Sequence, residues 1–219
     1  MLAIDCENGK IKYSSEINGT ELSELALSNN AVYTGGNDGM FHSISRKDGS
    51  ETWKFGYHYH PKFITSPFVA KNRVLFVSKY VSSMLAINRL HCIDPVTGDV
   101  LWRRDDVNPE IQPVSQNGMV YTLDRDNRII CLSLYTGELM WVTPENISFG
   151  QPIVYDEKVF ARAKGRRMYC YKAVSGELKW HYRMEKNTTA PDDFLHYYKG
   201  SSSSSQVIRY LQLMQTLVN

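Results

Sequence analysis

His58 and His60 come nearest, by type and spacing, to coordination chemistry. They stand two positions apart in Gly56-Tyr57-His58-Tyr59-His60-Pro61. On a strand they would share one face, and two imidazoles so placed can take two positions around a metal ion. No third ligand accompanies them, since His42, His91, His181 and His196 are spread along the chain. The competing reading of the segment, Tyr57 included, is an exposed aromatic-rich end of a sheet. Asp124-Arg125-Asp126-Asn127 opens like a calcium loop, but no Asp-Gly and distal Glu follow at the required spacing, so a solvated hairpin turn is expected. Lys164-Gly165-Arg166-Arg167, with Arg162 nearby, forms a small basic cluster able to meet an acidic partner or a phosphate; solvated hairpin tips have the same composition. No Ser/His/Asp order, nucleophile elbow or phosphate loop occurs, and Gly35-Gly36 is followed by neither a helix nor a lysine. An active site wholly within this chain is therefore not expected.

The four cysteines, Cys6, Cys92, Cys131 and Cys170, contain no CxxC pair, which argues against zinc-ribbon and thioredoxin-like chemistry. So few in 219 residues do not read as a disulfide framework. A chain 42% hydrophobic and 22% charged has an ordinary globular composition. A net charge of +2 announces no nucleic-acid binder. No run approaches the roughly 18 apolar residues that span a bilayer. Asp5 and Glu7 make the first residues unlike a signal peptide.

The elements that must position any site come from a repeat. A glycine followed four residues later by an aromatic recurs in step with the repeat at Gly9/Tyr13, Gly49/Trp53, Gly98/Trp102, Gly137/Trp141 and Gly176/Trp180. The glycines are 40, 49, 39 and 39 residues apart, and all four tryptophans occupy the aromatic slot. Six residues before each glycine stands a small residue: Ala3, Ser43, Cys92, Cys131 or Cys170. The last three cysteines thus read as small, soft core residues where alanine or serine also serves. Two positions later comes Asp5, Ser45, Asp94, Ser133 or Lys172. Runs such as Ala31-Val32-Tyr33, Val74-Leu75-Phe76-Val77, Met119-Val120-Tyr121 and Lys158-Val159-Phe160 have strand composition. Ser66-Pro67, Gln112-Pro113 and Gln151-Pro152 open successive units. Four short antiparallel strands per roughly 40 residues is the size of a propeller blade.

The pattern small-x-polar-x-x-x-Gly-x-x-x-Trp resembles the tryptophan-docking motif of the quinoprotein-like (PQQ-repeat) β-propeller family, which Ala3 to Gly9 and Cys92 to Trp102 follow closely. The resemblance covers about residues 1 to 184. It implies an all-β fold of about four to five four-stranded blades, a partial propeller. It also implies that Trp53, Trp102, Trp141 and Trp180 pack between blades, with Gly49, Gly98, Gly137 and Gly176 in the turns. Dehydrogenases of the family bind pyrroloquinoline quinone beside calcium, and many carry two adjacent cysteines. No Cys-Cys dipeptide occurs here, so the resemblance points to non-catalytic, BamB-like scaffolds, with no cofactor expected.

Four units and a half unit, residues 1 to about 13, make about half a ring. Exposed blade edges would be a liability, which a longer chain, a homodimer or missing second half-propeller, or a small closed ring would remove. The insertion behind the 49-residue interval lies near residues 80–87, where Met84, Leu85 and Ile87 read either as a partner-binding loop or as a lengthened hairpin. Residues 185–205 read as a polar, Ser-rich linker, and 206–219 as an amphipathic helix whose stripe carries Val207, Leu211, Met214 and Val218. That helix would need a groove, a partner or another copy. The leading expectation is a non-enzymatic protein-interaction scaffold binding a short helical or extended peptide. The alternatives are a piece of a PQQ-dependent dehydrogenase propeller and a lumenal or extracellular sensor. Asn18, Asn146 and Asn187 stand in glycosylation triplets, and the family resemblance favours an extracytoplasmic location.

Overall fold

The computed structural model describes residues 1–17, 22–36, 38–56, 62–63, 66–81, 86–108, 110–144 and 147–183. Met1–Arg183 forms one unit. The linker at 185–205 and the helix at 206–219, with Val207, Leu211, Met214 and Val218, lie outside the described residues, as do Tyr57, His58, His60, Met84 and Leu85.

All regular structure among the described residues is β. Sheet I is the pair β1 (Leu2–Ile4) and β2 (Ile11–Ser14). Sheet II holds β3 (Ala26–Leu27), β4 (Ala31–Gly35), β5 (Met40–Ser45) and β6 (Glu51–Gly56). Sheet III holds β7 (Lys62–Phe63), β8 (Phe68–Val69), β9 (Val74–Val81), β10 (Ala86–Ile93) and β11 (Val100–Arg104). Sheet IV holds β12 (Val114–Gln116), β13 (Met119–Leu123), β14 (Ile129–Ser133) and β15 (Leu139–Val142). Sheet V holds β16 (Ile153–Tyr155), β17 (Lys158–Ala163), β18 (Arg167–Lys172) and β19 (Leu178–Arg183). Sheets II, IV and V are four-stranded meanders in chain order; in sheet III, β7 and β8 both pair with β9. All pairings between these strands are antiparallel.

Each sheet is built the same way because each repeat carries the same turn chemistry. In sheets III, IV and V the hairpin before the two central strands turns through residues with positive φ: Lys71-Asn72, Asn117-Gly118 and Asp156-Glu157. That is the backbone a right-twisted two-residue hairpin requires, and Asn-Gly adopts it with least strain. The last hairpin of each sheet contains the repeated glycine, whose N–H donates to the carbonyl four residues back, Asp94 for Gly98 and Ser133 for Gly137. The polar slot caps this turn. Asp94 accepts the N–H groups of Val96 and Thr97, and the Ser133 hydroxyl accepts those of Tyr135 and Thr136. Lys172 departs from that role and pairs instead with Glu177 at 2.5 Å. Immediately after the small slot the register shifts by one residue in all five sheets.

The core lies between sheets rather than within one. Tyr33 and Phe41 of sheet II join Val74, Phe76 and Ile93 of sheet III. Leu75, Cys92 and Trp102 of sheet III join Val120, Ile130 and Leu132 of sheet IV. Tyr121, Cys131 and Trp141 of sheet IV join Val159, Tyr169 and Tyr171 of sheet V. Successive sheets stacked face to face in this way are the blades of a propeller.

The strands on either side of residues 82–85 are long. β9 and β10 run eight residues each and pair through to Val81 opposite Ala86, with Ile87 opposite Tyr80.

Candidate functional site

The repeated glycine and aromatic meet across sheets, not within one. Trp53, Trp102 and Trp141 each lie over the glycine turn of the following sheet. A Cβ added at Gly98, Gly137 or Gly176 would fall 2.8, 2.7 or 2.6 Å from the respective indole ring. The indole N–H then donates to the carbonyl three residues before that glycine: Trp53 to Pro95 at 3.0 Å, Trp102 to Leu134 at 2.9 Å and Trp141 to Ala173 at 2.8 Å. Between sheets I and II the smaller Tyr13 lies over Gly49, and Ser15 donates its hydroxyl to the Gly49 carbonyl at 2.7 Å. The turn glycines have φ near +70 to +80, a region open to glycine at little cost. Both the backbone and the ring above it therefore exclude a side chain.

A second set of contacts runs along the first strands. Gln151 donates its amide to the Gln112 carbonyl at 2.6 Å, and Gln112 donates its own to the Ser66 carbonyl at 2.7 Å. The Ser66 hydroxyl donates to the Glu24 carboxylate. The residue before each proline is thus spent on joining one sheet to the next.

The interior reactive groups are held inert. Cys92, Cys131 and Cys170 are fully buried, and burial pushes their thiols up to about 12, 12 and 11. They stand in three separate sheets as free thiols, with Cys6 free and exposed. His91 is fully buried, stacked on Phe76 at 4.8 Å and bonded through Nε2 to the Ser78 hydroxyl at 2.9 Å. Burial pushes its imidazole down to about 3. His42 stands in the same repeat slot, one residue before Ser43 as His91 is one before Cys92. Its Nδ1 meets Glu51 at 2.6 Å and its Nε2 faces Asp38 at 3.4 Å. The two carboxylates sit on opposite ring nitrogens, so they do not converge on one ion. Among the described residues no group of three metal-ligating side chains comes together. Asp124 accepts the N–H groups of Asp126 and Arg128 and pairs with the Arg128 guanidinium at 2.7 Å, so its loop is a self-satisfied hairpin.

Open surface chemistry gathers at the hairpin tips. Arg166 and Arg167 are exposed at the β17–β18 turn, where Arg167 pairs across with Arg183. At the turns holding the repeated glycine, the residue two before it is apolar in three consecutive sheets. Val96, Tyr135 and Val174 are 75%, 50% and 66% exposed. Because the three turns sit at the same end of equivalent strands, these residues form a row on one face. Arg73 lies over the Tyr135 ring at 5.1 Å, giving the row a cationic border. Sequence reading missed this row and the paired histidine slots; aligning the repeats column by column would have exposed both.

The described residues include no helix long and apolar enough to cross a membrane. A family model described as "Outer membrane protein assembly factor BamB" matches residues 1–111 and 86–208. No curated protein matches the chain. Among solved structures, BamB from Moraxella catarrhalis aligns with a TM-score of 0.63 at 16% identity, over 83% of this chain and 57% of that one. A europium-containing methanol dehydrogenase aligns with a TM-score of 0.62 at 14% identity, over 84% of this chain and 47% of that one. The computationally designed Ika4 protein aligns with a TM-score of 0.56 at 18% identity, over 75% of this chain and 98% of that one. The chain thus spans about half the length of the two natural proteins, and at these identities the likeness is one of fold.

Proposed function

The chain belongs to the PQQ-repeat β-propeller family, and from that premise we propose that it is a non-enzymatic scaffold that binds a protein partner through its hairpin-tip face. The observation carrying this reading is the row Val96, Tyr135 and Val174. Three apolar side chains in one repeat slot, each at least half exposed, form a surface that association would remove from water. The rigid blades fix their spacing, which suits them to an extended or helical segment of the partner. The matching family model is described as an outer membrane protein assembly factor, a description that fits a role in association.

Two features support the non-enzymatic part. The buried thiols stand apart in sheets III, IV and V and give no adjacent pair of the kind expected beside the quinone. His42, His91 and Asp124 are committed to neighbouring side chains or to their own turn.

The test combines a V96D/Y135D/V174D variant with a cofactor titration. The variant is expected to keep its far-ultraviolet dichroism and melting temperature while losing partner capture that the unaltered chain shows. Added pyrroloquinoline quinone with calcium is expected to produce neither a melting shift nor reduction of an electron acceptor. A melting shift together with acceptor reduction would establish the dehydrogenase reading instead.

A further inference from the structure

Arg73 leaves the β8–β9 hairpin in a fixed position. Its N–H donates to the Ala70 carbonyl and its own carbonyl accepts the Ala70 N–H, both at 2.9 Å. The next residue, Val74, pairs with Ile93, so Arg73 stands at the base of the turn that carries Val96. Its side chain crosses to sheet IV, where the guanidinium lies 5.1 Å from the centre of the Tyr135 ring. That ring rests in turn against the β12–β13 hairpin, since a Cβ at Gly118 would fall 3.1 Å from it. Two hairpins and a glycine turn thus hold one cation beside the row of exposed apolar residues.

The charge of Arg73 is not spent inside the protein. Arg46 donates to the Ser28 and Asn29 carbonyls, Arg89 pairs with Asp105, Arg104 with Asp106 and Arg128 with Asp124. Arg73 takes part in none of the ion pairs among the described residues, and its Nε is buried with no hydrogen-bond partner. Asp94, the acid one residue past Ile93, gives its carboxylate to the N–H groups of Val96 and Thr97. A buried donor of a cation left without an acceptor costs free energy that an incoming acceptor would return.

We propose that Arg73 receives a carboxylate of the partner protein, so that the tip face binds an extended segment in which Asp or Glu alternates with apolar residues. The inference rests on the scaffold reading and names the chemistry of its partner. A guanidinium can donate two N–H groups to one carboxylate in a planar fork. Val96 and Tyr135 stand beside it to take the apolar neighbours of that carboxylate out of water. One guanidinium suits a single negative charge. Asp99 and Glu138 close the same two turns, through their carbonyls to Asp94 and Ser133, and would repel a doubly charged phosphate more than a carboxylate.

Fluorescence anisotropy on the full 219-residue chain tests it with three short labelled peptides that alternate Leu with Asp, with Asn or with phosphoserine. The Asp peptide is expected to bind about tenfold or more tightly than the Asn peptide. R73M, which keeps the length of the side chain over Tyr135, is expected to erase that preference and leave the Asn peptide unchanged. R73K keeps the charge without the fork and is expected to restore part of the preference. V96S/V174S is expected to weaken the Asp and Asn peptides by a similar factor. If R73M lowers the melting temperature, R73Q takes its place with the same expectation. Equal binding of the Asp and Asn peptides, weakened by V96S/V174S, would overturn the carboxylate and leave the scaffold reading standing. Affinities unmoved by both R73M and V96S/V174S would overturn the two together. Tightest binding of the phosphoserine peptide, lost in R73M, would replace the carboxylate with a phosphate, and binding of none of the peptides would overturn the proposal as well.

Discussion

Trp102 and Gly137 stand in different sheets, 35 residues apart, yet the indole lies so closely over the glycine that a Cβ there would fall 2.7 Å from the ring. The indole N–H meanwhile satisfies the Leu134 carbonyl of the same turn. One residue thus fills the space between two sheets and pays the hydrogen-bond need of a buried turn. The consequences can be measured slot by slot, because the repeat places the same residue type in packed and unpacked surroundings.

G137A is expected to destabilise by roughly 2–4 kcal/mol, combining a left-handed backbone penalty with overpacking against the ring. G9A has the same backbone penalty and meets no ring among the described residues, so about 1 kcal/mol is expected. Chemical denaturation of the two variants at low concentration provides the comparison. Equal losses would mean that the glycine is kept for its φ alone.

The tryptophans themselves should divide in the same way. W141A removes a buried ring and its bond to the Ala173 carbonyl, at a cost of about 3–5 kcal/mol. W180A, in the same slot but more than a third exposed among the described residues, should cost about 1 kcal/mol or less. Thermal melts of the dilute proteins would show the difference as a large shift for one and a small shift for the other.

His91 makes the fold acid-sensitive. Its imidazole is held at about 3 by burial, below the usual 6.5, so the unfolded chain binds the proton first. Stability from this group is full above about pH 6.5 and declines as pH falls from there toward 3, with about 2 kcal/mol lost by pH 5. H91F keeps the ring stack on Phe76 and should flatten urea midpoints between pH 7 and pH 5. An undiminished slope in H91F would assign the acid sensitivity elsewhere.

The fold was legible because its signal is local. A small residue, a polar cap, a glycine and an aromatic fall within eleven positions, and each repeat states them again. What stayed hidden joins residues about 40 positions apart. Gln112 and Gln151 read only as strand openers beside their prolines, and nothing local says that one amide reaches the other's carbonyl. His42 and His91 looked scattered because the long β9 and β10 strands set their repeats 49 residues apart instead of 39 or 40. Val96, Tyr135 and Val174 are ordinary turn residues one at a time and become a surface only when the sheets stand side by side. The histidines at 58 and 60, and Met84 and Leu85, fall outside the described residues, so their expectations stand as sequence statements.

The tip face can be probed residue by residue in the cell that makes the protein. A photo-reactive phenylalanine analogue at position 135 would sit in the middle of the row; the same analogue at position 140 would sit on an outer strand, where Met140 is 57% exposed. Light-induced cross-linking from position 135 to one discrete partner protein, with none from position 140, is the result expected of a scaffold that binds through its hairpin tips. Cross-links from position 140 but not 135, or none from either, would contradict it.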